Sequence, residues 1–140
     1  NGHIAFYFEK EKILFSGDTL FSLGCGKVFE GTHKDMFNSL NKLKSLSPDT
    51  KIYCGHEYTK KNYDFCIKYD PENSFLKEKA KLINSKLKDN LPTVPSNLTD
   101  ELKTNVFLRC NDKGLKQTLN LKDCSDQEIF TKLRDLKDTF

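Results

Sequence analysis

The sequence predicts an α/β chain in two parts: strands flanking a helix over residues 1–58, then a helical region over residues 59–140. Three observations carry that prediction. Short apolar runs at 1–8, 12–15 and 51–54 are bounded by polar or glycine-containing turns, as strands are. Between the last two, Met36, Leu40, Leu43 and Leu46 recur at helical spacing. After Tyr58 the pattern changes to cap residues followed by helical stripes. A length of 140 residues suits one ordinary domain with a real core.

The first two runs, joined by Glu9-Lys10-Glu11, read as a hairpin. The chain starts almost inside its first strand, so a preceding segment is expected, and His3 reads as a packed or surface residue. The second strand stops at Ser16-Gly17, where the backbone can change direction. Asp18 therefore stands at a strand end, from which a rigid scaffold can aim its carboxylate into a cleft. Leu20 and Phe21 return the loop to the core, and Gly24-Cys25-Gly26 forms a bend that ends on Lys27.

Thr32 and Asp35 suit a helix start, and Ser47-Pro48-Asp49 ends that helix. The strand at 51–54 closes on Gly55-His56-Glu57-Tyr58. This β-α-β order puts Asp18 and His56 at the carboxyl ends of two strands, on one edge of the sheet. Thr59 begins a helix with Tyr63, Cys66 and Ile67 that stops before Asp70-Pro71. Asn73 caps the next, with Leu76, Ala80, Ile83 and Leu87 on one face. Pro92 and Pro95 break the chain, and Ser96 caps a short helix containing Leu98 and Leu102. Residues 106–110 read as extended and 111–120 as a polar loop. Ser125 and Glu128 form a capping-box pattern, and Ile129, Leu133, Leu136 and Phe140 line the buried face of the last helix.

Composition excludes several classes. A mean hydropathy of −0.64 and no apolar run near ~20 residues argue against a membrane span, and no basic-then-apolar leader is present. The net charge of +3 comes from scattered lysines without a dense basic block, which argues against nucleic acid. Five cysteines without a C-x-x-C pair fit reduced thiols in a cytosol-like compartment, and a cytoplasmic location is expected with an organellar form left open.

Two groups of residues can carry chemistry. Asp18 and His56 offer oxygen and nitrogen donors suited to a metal such as zinc, or to an acid/base dyad. A catalytic zinc needs about three protein ligands, so as a metal site the pair needs further ligands from elsewhere. Lys27, Tyr58, Arg134 and Lys137 form a cationic and aromatic group. Arg134 and Lys137 are three apart on the last helix, as either a clamp for a carboxylate-bearing ligand or an ordinary solvated face.

The blocks FSGDTLF around Asp18, GCGKVFEG around Lys27 and YCGHEYT around His56 and Tyr58 closely resemble glyoxalase II, the hydroxyacylglutathione hydrolase branch of the metallo-β-lactamase fold. PTVPSNLTDEL, NVFLR and LRDLKDTF are similar to the helical C-terminal region of that family. The resemblance implies the C-terminal part of a metallo-β-lactamase-like αβ/βα sandwich over 1–58, followed by a helical glutathione-binding domain over 59–140. It implies two divalent metal ions, with zinc first and iron or manganese as alternatives, held in part by a bridging Asp18 and by His56. It further implies that Lys27, Tyr58, Arg134 and Lys137 hold the glutathione moiety of a thioester such as S-D-lactoylglutathione, which is hydrolysed to D-lactate in methylglyoxal detoxification.

Two departures qualify it. Phe29 stands where many members have a tyrosine, so it can pack against substrate but cannot donate a hydroxyl hydrogen bond. The T-H-x-H-x-D-H segment that supplies most metal ligands in the family is not in this sequence. The chain therefore reads as the C-terminal half of such an enzyme, inactive alone and with apolar sheet surface that favours self-association. The competing readings are a non-catalytic glutathione- or anion-binding module and a persulfide dioxygenase-like enzyme of the same fold.

Overall fold

The computed structural model describes residues 3–140. Four strands form the main sheet. β1 (Phe6–Phe8) runs antiparallel to β2 (Ile13–Gly17), with Phe6 opposite Phe15 and Phe8 opposite Ile13. The hairpin is as expected, although β1 is shorter than the apolar run; Asn1 and Gly2 of that run lie outside the described residues. β2 pairs in parallel with β5 (Lys51–Cys54), and helix α1 (His33–Lys44) crosses between them. The Thr32 hydroxyl accepts from the Asp35 N–H, while the Asp35 carboxylate accepts from the Thr32 N–H, a complete capping box.

Four local readings are corrected. The segment between Asp18 and Lys27 is a small hairpin, β3 (Leu20–Phe21) against β4 (Gly24–Cys25), and not only a loop. Ser96 does not cap a helix: Ser96–Asn97 forms β6, antiparallel to β5, and the Asn97 side chain caps α4 (Leu98–Thr104) by accepting from the Asp100 N–H. Residues 106–110 are not extended, because Val106–Leu108 form a buried 3₁₀ turn entered through Asn105, whose side chain accepts from the Phe107 N–H. Within the expected polar loop, Asp112 caps a further helix, α5 (Lys113–Thr118).

Helices α2 (Thr59–Tyr69), α3 (Ser74–Lys88) and α6 (Asp126–Asp138) follow the sequence reading, with Asn73 and Ser125 acting as caps. Leu87 and Phe140, expected on buried stripes, are exposed: Leu87 lies in the last turn of α3, and Phe140 follows α6 with its ring still 5.4 Å from the buried Phe65 ring. That core is continuous from the sheet into the helical region. Leu14 and Ile52 from the sheet share it with Phe65, Phe107 and Phe130, whose rings lie 5.7 and 5.9 Å apart in succession. The opposite sheet face is uncovered. Phe6, Phe8 and Phe15 are exposed there, and Phe15 packs 5.4 Å from the Tyr53 ring.

Burial also settles the thiols. Cys25, Cys66 and Cys110 are buried and free, and burial pushes their pKa values up to about 11, about 12 and about 12. They are packing residues, which agrees with the absence of any cysteine motif.

Candidate active site

Asp18 follows β2 directly, and His56 follows β5 after one residue. The register of the parallel pair shifts between Phe15 and Gly17, so an extra residue, Ser16, is accommodated just before the acid. Such a bulge bends the strand and re-aims the residues beyond it. The buried Ser16 hydroxyl donates to the Leu20 carbonyl at 2.6 Å, fixing the turn in which Asp18 sits.

The two side chains converge as the strand order requires: His56 Nε2 lies 3.3 Å from Asp18 Oδ1, and both side chains are about half exposed at 48%. Two glycines make room for them. A Cβ at position 55 would lie 2.7 Å from Asp18 Oδ1, and one at position 26 would lie 1.9 Å from the Asp18 carbonyl oxygen. A larger residue at 55 would displace the carboxylate, and one at 26 would displace the Asp18 backbone. An oxygen and a nitrogen donor side by side, open to solvent, fit part of the coordination sphere of a divalent cation. Among the described residues no group of three or more His, Cys, Asp or Glu side chains converges, so this chain offers two donors.

Aromatic groups wall the pair. The His56 and Tyr58 rings stack at 4.8 Å and 12°, and Phe21 from β3 meets the Tyr58 ring edge-on at 5.2 Å. Lys27 is exposed at the end of the β4 bend, with its ammonium 5.7 Å from the Phe29 ring. Phe29 is 78% exposed and can offer only an apolar face. A hollow of about 540 Å³ between this bend and α1 includes Thr19, Lys27, Phe29 and Met36 but neither His56, Tyr58 nor Lys137. The donors meet elsewhere, so chemistry and not depth marks the site.

Of the two cations expected to form a clamp, Arg134 is turned inward and Lys137 is half-buried. Arg134 is 4% exposed, and its guanidinium donates to the Cys25 carbonyl at 2.9 Å, the Gly26 carbonyl at 3.3 Å and the Asp138 carboxylate at 2.8 Å. It also lies 5.4 Å from the Phe107 ring centre. Arg134 is therefore neither a solvated cation nor a free fork; it ties α6 to the bend that presents Lys27. Lys137 stays half-buried over the Phe65 and Phe140 rings at 5.7 and 5.6 Å. Burial, and next the repulsion of Arg134 and Lys61, hold its pKa below the ordinary lysine value.

Sequence reasoning missed two carboxylates that shape this region. Glu101 on α4 is fully buried, accepting from the Leu23 N–H at 2.9 Å, the Asn105 amide at 3.0 Å and the Lys79 ammonium at 3.0 Å. Leu23 has φ +60, a left-handed conformation that costs a side-chain-bearing residue about 1 kcal/mol or more. The hairpin tip is thus held by helical-region side chains: Asn62 donates to the Ser22 carbonyl, Asn105 to the Gly24 carbonyl and the Cys66 thiol to the Leu23 carbonyl. A signal was present, since Glu101 lies three residues after Leu98 and four before Asn105, on the buried face of α4. The second, Glu57, lies between His56 and Tyr58 and carried no comparable mark.

Comparison with known proteins gives the family. Residues 57–140 match the family described as hydroxyacylglutathione hydrolase C-terminus, and residues 1–56 match the metallo-beta-lactamase superfamily. The chain is 55% identical over 139 residues to the hydroxyacylglutathione hydrolase of Pelagibacter ubique, covering 99% of this chain and 52% of that protein. It is 49% identical to the same-named protein of Chelativorans sp. and 47% identical to that of Brucella abortus, in each case over 99% of this chain and 54% of the relative. The chain spans about half the length of the curated relatives it matches. Its strands and α1 are an α/β portion of the metallo-beta-lactamase type followed by a helical region, and the chain belongs to the hydroxyacylglutathione hydrolase C-terminus family.

Proposed function

We propose that these 140 residues form the C-terminal part of a hydrolase of S-(2-hydroxyacyl)glutathione thioesters, divided near residue 58 into a catalytic portion and a helical glutathione-binding portion. The observation that carries this reading is the 3.3 Å approach of Asp18 Oδ1 and His56 Nε2 at the ends of adjacent parallel strands. Together with ligands from a longer chain they would hold two divalent metal ions, zinc by preference. When bound, such ions polarise the thioester carbonyl and lower the pKa of water to about 7. Asp18 contributes negative charge and His56 a neutral nitrogen to that centre.

The remaining groups bind and orient. Lys27 and Lys137 supply positive charge for the glutathione carboxylates, Tyr58 supplies a hydroxyl for its backbone, and Phe29 packs without a hydrogen bond. Arg134 underpins the Lys27 bend. The test is thioester hydrolysis by a full-length, metal-loaded protein bearing these residues: S-D-lactoylglutathione should yield D-lactate and glutathione, and no turnover counts against the reading. The 140-residue polypeptide, with two donors among the described residues, should be inactive.

A second reading, a glutathione-binding module without chemistry, is favoured by the two-donor count among the described residues. It shares one prediction. The depressed Lys137 pKa means that the fold disfavours its charged form, so stability rises slightly as Lys137 loses its proton. A carboxylate ligand needs the ammonium. Affinity for S-methylglutathione should therefore decline with rising pH before the ordinary lysine value of 10.5 is reached. Calorimetric titration should show that decline in the wild type and not in Lys137→Met.

The uncovered sheet face adds a physical prediction. Phe6, Phe8 and Phe15 form an exposed apolar cluster on the open face of the sheet, next to its β1 edge, and such surfaces drive association. Sedimentation of the isolated polypeptide should show concentration-dependent dimers or larger species, and Phe6→Ser with Phe15→Ser should shift it to monomer.

A further inference from the structure

Glu57 takes no part in the reaction proposed above, yet its neighbours on both sides do. Its carboxylate accepts from the Thr93 N–H at 3.0 Å, the Val94 N–H at 2.9 Å and the Thr93 hydroxyl at 2.6 Å. Hydrogen bonds to an ionised acceptor are strong and directional. The partner segment is itself fixed. Thr93 is 8% exposed and shares its hydroxyl with Thr59 at the start of α2, and three residues later β6 is paired into the main sheet.

The segment that Glu57 anchors has few other ties. The Gly55 N–H donates to the Gly17 carbonyl at 2.8 Å, and the Tyr58 carbonyl accepts from the Asn62 N–H at 2.9 Å. Between these points, among the described residues, the ties that reach across to another part of the chain are the Glu57 hydrogen bonds, the 3.3 Å contact of His56 with Asp18, and the Phe21 ring against the His56 and Tyr58 rings; of these, the Glu57 bonds are the ones that hold backbone to side chain. Residues 56 and 58 send their rings to one side, where they stack 4.8 Å apart, leaving the intervening carboxylate to grip the 93–94 backbone.

We propose that Glu57 is a positioning residue: by binding the backbone of Thr93 and Val94 it fixes the stacked His56–Tyr58 pair, so that metal ligand and substrate-binding phenol are presented as one unit. Its consequence for turnover rests on the hydrolase reading. The geometric part does not.

The test compares E57A and E57Q with wild type in the full chain by NMR. In E57A the nuclear Overhauser contact between the His56 and Tyr58 rings should vanish. Amide order parameters of residues 55–58 should fall from about 0.85 toward 0.6, while signals from β5 and α2 keep their wild-type positions. E57Q retains an oxygen that accepts from the two N–H groups and should keep the ring contact. In the full-length, metal-loaded protein, E57A should lower kcat/KM for S-D-lactoylglutathione about 100-fold, with E57Q close to wild type. A ring contact that survives in E57A overturns the proposal. So does an E57Q as damaged as E57A, or an E57A whose signals collapse throughout the chain, which would mark a general folding role. If the wild-type full-length protein hydrolyses no thioester, the hydrolase reading fails, and the ring contact still decides the role of Glu57.

Discussion

Replacing Glu101 with alanine is expected to cost about 3–5 kcal/mol of folding stability, the range for removing one partner of a buried ion pair. The glutamate is fully buried, and its Lys79 partner keeps only 11% of its side chain exposed. Alanine would leave the Lys79 ammonium and the Leu23 N–H short of an acceptor at once, while the Asn105 amide would keep the Gly24 and Phe21 carbonyls. A domain stable by about 5–15 kcal/mol loses a large fraction of its margin by that amount. Urea denaturation of the chain measures it directly. Replacing Lys79 and Glu101 together with methionine removes the charges but still strands the Leu23 N–H, so the double variant should recover only part of the loss. An Ala variant as stable as wild type would mean that the hairpin tip is held by other contacts.

Asp18→Ala, in a full-length metal-loaded protein, is expected to lower kcat/KM for S-D-lactoylglutathione by on the order of 10³-fold, about 4 kcal/mol of transition-state stabilisation. In the metal-free protein the same substitution should hardly move the unfolding midpoint. Asp18 is half exposed, its interaction with His56 is that of a solvent-accessible pair, and substitutions away from a packed core usually stay within about 0.5 kcal/mol. That separation of activity from stability is the reverse of the Glu101 result, and it distinguishes a group that acts on the reaction from one that holds the scaffold. Bound metal, measured by elemental analysis, should fall in parallel. Unchanged turnover in Asp18→Ala would end the hydrolase reading.

The positions of the two chemical donors were legible in the sequence because strand ends are local events. Polar punctuation at Ser16-Gly17 and Gly55 stops each strand, and a helix between two parallel strands leaves their carboxyl ends on one edge. Caps were legible for the same reason: Thr32, Asn73 and Ser125 act within their own first turns. Local chemistry misled where a long-range partner took over. Ser96 has cap chemistry, but pairing with β5 drew it into the sheet, and Asn97 capped instead. Residues 106–108 carry strand-like side chains, yet the Asn105 side chain accepts from the Phe107 N–H and turns them into the core.

By itself the sequence determined the β1–β2 hairpin, strand β5 and most of the helices, that Asp18 and His56 share an edge, and which blocks resemble a known hydrolase. Only the tertiary structure decided that Arg134 is turned into the fold against the Cys25 and Gly26 carbonyls, that Glu101 moulds the hairpin tip and that Glu57 grips the 93–94 backbone. The physical reason is separation along the chain. Helix period and cap chemistry act over a few residues, whereas each of these three contacts joins groups at least 36 positions apart. A charged side chain looks the same in sequence whether water or a buried backbone receives it.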